Sequence, residues 1–125
     1  MSTSEINSQY FKYIRSWTIA TLNRIKPEKS AQRPAKKYNS FLWLAGHLLW
    51  TEEKLIANPL GLKRKFEGIK LEDFAINTKP SEVIKYKKKF ADIVSYLAYS
   101  EHEISELILS TKEKDWNGKW KGELA

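Results

Sequence analysis

Apolar and small side chains recur at intervals of three and four along the first segment: Ile6, Tyr10, Ile14, Trp17, Thr18, Thr21 and Ile25. That spacing puts them on one side of a helix, with Lys12, Arg15, Ser16 and Asn23 opposite. Ser2 and Glu5 have the spacing of a capping box, Ser4 is an alternative cap, and Pro27 stops the run. The pattern predicts a first helix from Ser4 to Lys26.

Residues Pro27 to Tyr38 lack periodicity and carry Lys29, Arg33, Lys36 and Lys37, which reads as a loop that reverses the chain. Asn39 or Ser40 can accept from the free amides of the next helix, which ends before Pro59. Between Phe41 and Trp50 this second helix is apolar almost all round, and Thr51 to Lys54 return to polar residues on its outer side. A helix with that pattern belongs at the centre or in an interface.

From Asn58 to Lys79 the pattern breaks into Pro59, Gly61, Gly68 and scattered hydrophobes such as Leu60, Phe66, Ile69 and Phe74, an ordered crossover. Pro80 and Ser81 open a third helix of about 30 residues. Its apolar face includes Val83, Tyr86, Phe90, Ile93, Val94, Leu97, Ile104, Leu107 and Ile108. The tail from Lys112 to Ala125 has an Asn117-Gly118 turn signal flanked by Trp116 and Trp120, and no fourth helix is visible.

These elements predict an all-α helical bundle in one domain, 1–125, with three long helices and the place of a fourth left open. Three amphipathic helices, one apolar on nearly every side, bury their faces best when a further element closes the bundle. The cover can be the 58–79 crossover, the tryptophan tail or a second copy of the chain; a two-fold homodimer is the expectation.

Composition narrows the class. In 125 residues, 42% are hydrophobic and 13% aromatic, enough apolar surface to offset the entropy lost on folding. The absence of cysteine excludes disulfides, thiolate metal sites and a cysteine nucleophile. Met1 to Tyr10 has no signal-peptide pattern and no apolar run approaches the ~18 residues of a membrane span, so a cytoplasmic protein with no membrane partner is expected. The net charge of +7 raises the question of an acidic partner. Cations cluster at Lys26 to Lys37, Lys63 to Lys65 and Lys85 to Lys89, but no nucleic-acid recognition signature accompanies them.

Candidate chemistry is sparse. His47 stands among Trp43, Trp50, Leu44 and Thr51 on the second helix. It is either a metal ligand or an imidazole wedged among indoles with one nitrogen bonded to backbone or to Thr51. His102, the other of two histidines, falls toward a polar flank with Ser105 and Glu106 and reads as a surface residue. Glu101 interrupts the apolar stripe of the third helix, and a buried carboxylate needs a partner. It can orient or join His47 at a metal, or pair with Arg15, Arg24 or a lysine. There is no phosphate-binding glycine loop, nucleophile elbow or His-Glu-x-x-His.

The segment Arg33-Pro34-Ala35-Lys36-Lys37-Tyr38-Asn39-Ser40-Phe41-Leu42-Trp43-Leu44-Ala45-Gly46-His47-Leu48-Leu49-Trp50-Thr51-Glu52-Glu53 resembles the DinB/YfiT-like family of metal-dependent four-helix-bundle proteins. There an Arg-Pro loop similarly leads into a helix with a Gly-His-Leu step and a nearby aromatic. The resemblance extends more loosely over the first helix, the Asn58-Pro59-Leu60-Gly61 turn and the Lys79-Pro80-Ser81-Glu82 helix opening. It implies a three-histidine site for nickel or zinc, with His47 matching the ligand in the second helix.

The other two ligands belong to an HxxxH-like pattern on the family's last helix. They have no match here, because the sequence stops at Ala125 about where that helix would begin; His102 lies in the third helix and does not fill either place. Some relatives are thiol-dependent transferases or isomerases. The resulting expectation is a truncated or degenerate DinB-like bundle without a complete metal site in one chain, serving as a binding or structural module, with a small-molecule ligand left open. The alternatives are a metal-dependent transferase or hydrolase whose site is completed by another chain or a missing segment, and, least supported, a basic nucleic-acid-associated protein.

Overall fold

The computed structural model describes residues 1–111, and over these the chain is all-helical. Three α-helices, α1 (Thr3–Leu22), α2 (Phe41–Glu52) and α3 (Phe90–Leu109), are joined by shorter 3-10 and π turns. No helix among the described residues is long and apolar enough to cross a membrane. The expected turn at Asn117-Gly118 lies outside the described residues.

Local chemistry explains the starts. Ser2 and Glu5 form the capping box on α1, the Ser2 hydroxyl accepting from the Glu5 amide at 3.1 Å and the Glu5 carboxylate from the Ser2 amide at 3.3 Å. Ser40 caps α2 by accepting from the Trp43 amide at 3.1 Å. The third helix is continuous from Pro80 but wound in two ways, as a 3-10 helix over Pro80–Lys89 and as α3 from Phe90. Buried Val83 and Tyr86 are three residues apart, the spacing that a 3-10 winding brings into line.

Ser8 on α1 donates to the Ser105 carbonyl at 3.1 Å and Arg15 to the Leu97 carbonyl at 2.9 Å, so α1 and α3 run antiparallel. The Leu42 amide meets the Ser30 carbonyl beyond the end of α1, while Arg15 pairs with Glu52 near the other end of α2. Helix α2 is therefore also antiparallel to α1 and parallel to α3, a geometry that requires the long 58–79 crossover. Both α1 and α2 lean on α3 and scarcely on each other.

The core gathers Leu42, Leu49, Phe74, Val83, Phe90, Ile93 and Leu97, each almost fully buried. At about 1.5–3 kcal/mol for each large apolar side chain removed from water, this cluster dominates the favourable side of folding. The crossover supplies part of the cover expected for α2: Phe74 lies directly over Gly46, whose missing side chain makes room for the ring.

Two expectations are corrected here. The buried side of α1 is largely polar, with Ser4, Ser8 and Arg15 buried and Phe11, Ile19 and Leu22 adding the apolar contacts. Serines let the backbones approach, and their hydroxyls satisfy carbonyls of the opposite helix, Ser4 donating to Thr111 and Ser8 to Ser105. Arg15, read from the pattern as solvent-facing, is 7% exposed, whereas Ile14 and Trp17 of the apolar stripe are 61% and 65% exposed. Glu52 and Glu53, placed by the pattern on the outer side of α2, are buried as well.

Candidate functional site

The uncontacted sides of α1 and α2 leave an open furrow of about 630 Å³. Tyr13, Ile14 and Trp17 form one wall and Phe41, Leu44 and Leu48 the other, with His47 also lining it. A second concavity of about 590 Å³, lined by Met1, Ile6, Gln9, Tyr10 and Tyr13, adjoins the first at Tyr13. Of the stripe predicted for α1, Ile6, Tyr10, Ile14 and Trp17 are exposed, whereas Ile25 is half-buried against the core.

His47 is stacked between two indoles, its ring 4.4 Å from Trp43 and 5.5 Å from Trp50, with interplanar angles of 11° and 18°. Its Nδ1 lies 2.8 Å from the Phe74 carbonyl oxygen. A carbonyl only accepts, so Nδ1 carries the proton and donates, leaving Nε2 without a hydrogen-bond partner among the described residues. Trp43 is held in turn by its indole N–H, which donates to the Thr78 hydroxyl at 2.9 Å. The crossover thus orients the imidazole as an outer carbonyl orients a metal-binding histidine.

The remaining donors are missing. Glu101 is half-buried, and among the described residues no hydrogen bond or ion pair joins it to His47 or to the cations proposed as partners. His102 is exposed. No group of three His, Cys, Asp or Glu side chains able to hold a metal ion exists among the described residues. On that donor set, a resident nickel or zinc ion of the three-histidine type does not fit the described part of the chain.

The largest polar feature was not singled out by pattern. Glu52, 3% exposed, receives Arg15 Nη2 and Arg64 Nη2, each at 2.7 Å. Arg64 also reaches Glu53 at 2.5 Å and Glu103 at 2.9 Å. The turn Glu53–Ala57 that ends α2 is a π helix, and Glu52 and Glu53, at its start, both reach the same guanidinium. Burial opposes the charge on Arg64, but hydrogen bonds and attraction from Glu52 and Glu53 outweigh it and hold its pKa above the ordinary value. Two adjacent carboxylates closing an apolar helix were the available signal; their partner, twelve residues on, lies in a segment without periodicity.

A second polar pair ties the crossover to the 80–89 helix. The Tyr86 hydroxyl donates to Asp73 at 2.7 Å, which holds the Asp73 carboxyl below its usual value, with Lys85 assisting and burial opposing. Burial, with the same carboxylate assisting, pushes the Tyr86 phenol up.

At the end of the bundle where α1 meets the 27–38 loop, Arg24, Lys26, Lys29 and Arg33 surround a concavity of about 420 Å³. Phe41 lines both this cleft and the furrow. Comparison of the chain with protein-family models, with curated proteins and with solved structures finds no match in any of the three.

Proposed function

We propose that this chain is a binding module built on a DinB-like helical bundle, and that it works through the furrow between α1 and α2. The observation that supports this reading is the exposed apolar wall of α1, with Trp17 at 65% exposure facing Phe41 and Leu44 across the gap. Contiguous apolar surface of this kind marks contact sites on folded domains. A self-contained metal-dependent reaction would need three protein ligands and an open position, and the described residues offer His47 alone at the furrow.

The homodimer belongs to the same proposal: a second copy laid across the furrow would close the bundle with four helices, α1 and α2 from each chain. Light scattering on the purified full chain tests it. A dimer that becomes monomeric on Ile14→Asp with Trp17→Asp is the expected result, and a monomer whose state and stability ignore both substitutions would refute the furrow as a contact surface.

One observation favours a second reading, a metal-dependent transferase or hydrolase completed by another chain. His47 Nε2 has no partner among the described residues, on a side chain that lines the furrow, so ligands brought by another chain would meet it there. Elemental analysis of the purified protein and of His47→Ala separates the readings. Stoichiometric nickel or zinc that disappears in the variant would replace the module reading with this one.

A further inference from the structure

We propose that the cleft at the loop end of the bundle is an anion site for a small phosphate monoester carrying an aromatic or apolar group. It shares Phe41 with the furrow, but its four cations line the cleft alone. Arg24, Lys26, Lys29 and Arg33 line it, no carboxylate lines it, and none of the four cations makes an ion pair among the described residues. Other exposed lysines, Lys12 and Lys70 among them, are also without an ion pair among the described residues; what sets these four cations apart is that they line one concavity together with no carboxylate in its wall. Unmatched cations converging on one concavity raise the local concentration of anions.

The cleft is held in shape by the loop that forms it. Ser30 is fully buried; its hydroxyl donates to the Pro27 carbonyl at 2.7 Å and its carbonyl receives the Leu42 amide at 2.9 Å, which ties the loop to the start of α2. Arg33 is anchored by one guanidinium N–H on the Lys36 carbonyl at 3.0 Å, and its other donors remain for a ligand. The carboxyl end of α1 would repel an anion, but Thr21 and Leu22 carbonyls are occupied by the Arg24 and Ile25 amides at 3.1 Å. The 80–89 helix packs beside the 27–29 turn and supports that part of the loop.

The apolar part of the ligand follows from the walls. Ile25, Pro34 and Phe41 line the same cleft as the cations, so a phosphate seated between two guanidiniums would set its substituent against Phe41. Two arginines suit phosphate because the planar fork donates in pairs, and the lysines add point charge. The cleft volume of about 420 Å³ lies within the range of small-molecule sites.

Calorimetric titration of the full chain with inorganic phosphate, phenyl phosphate and a single-stranded oligonucleotide tests the inference. Phenyl phosphate should bind more tightly than inorganic phosphate by about ten-fold, a preference that Phe41→Ala removes. Arg24→Gln with Arg33→Gln should abolish binding of both, with the helical circular dichroism unchanged. Equal affinity of the double variant and the parent for phenyl phosphate would overturn the site. So would binding of the oligonucleotide alone, insensitive to Arg24 and Arg33, because the lysines would then act as a diffuse polyanion surface.

Discussion

Replacing Arg64 with methionine removes a cation that serves three carboxylates at once. Methionine keeps most of the apolar stem that packs near Phe66, over whose ring the guanidinium carbon sits at 5.5 Å, so the loss reports charge more than volume. Glu52 would retain Arg15, but Glu53 would lose its only ion-pair partner among the described residues while its side chain is 8% exposed. Glu103, 31% exposed, remains accessible to water and contributes little to the loss.

Breaking a buried pair from one side leaves an uncompensated charge and costs about 3–5 kcal/mol. That is a large part of the ~5–15 kcal/mol by which a domain is stable, and corresponds to a fall in Tm of roughly 10–20 °C. Urea unfolding followed by helical circular dichroism measures it: the midpoint should fall with the slope unchanged. Lys54→Met supplies the comparison, since the Lys54–Glu72 pair at 2.9 Å is exposed on both sides and is worth at most about 1 kcal/mol. A loss for Arg64→Met no larger than that for Lys54→Met would show that the carboxylates are hydrated and that the cluster does not hold α2, the crossover and α3 together.

Two further outcomes follow from local geometry. Gly46→Ala gains about 1 kcal/mol of helix propensity, yet the new methyl would overlap the buried Phe74 ring, for a net loss of about 1–3 kcal/mol; a raised Tm would contradict the close approach. Tyr86→Phe removes the hydroxyl that lowers the Asp73 pKa, and a lowered carboxylate pKa contributes stability above its unfolded value that is lost as pH falls through the folded one. The variant should therefore be less stable by about 1 kcal/mol near neutral pH, the gap closing below about pH 4, and a pH-independent difference in urea midpoints would refute the coupling.

The three helices, the cap residues Ser2 and Ser40, and the start of the third helix at Pro80 were legible because each depends on side chains within a turn of one another. His47 was legible in the same way: its indole neighbours lie four residues before and three after it. Its carbonyl partner was not, since Phe74 is brought to it by the crossover. Glu101 interrupts an apolar stripe on a wheel, but a wheel does not say which neighbour, if any, faces that position, and the structure gives Glu101 no pairing with His47. The network of Arg15, Glu52, Arg64, Glu53 and Glu103 joins four segments and has no periodic trace.

Periodicity and composition alone establish that this chain forms α-helices, where they begin, and that one of them is apolar nearly all round. Tertiary packing alone decides which side of α1 meets α3. A hydrophobic stripe states how much surface seeks cover but not what covers it, whereas serines and one arginine allow a close seam once opposing carbonyls and a buried glutamate are in reach. The outward stripe of α1, and with it the furrow, follows from that choice.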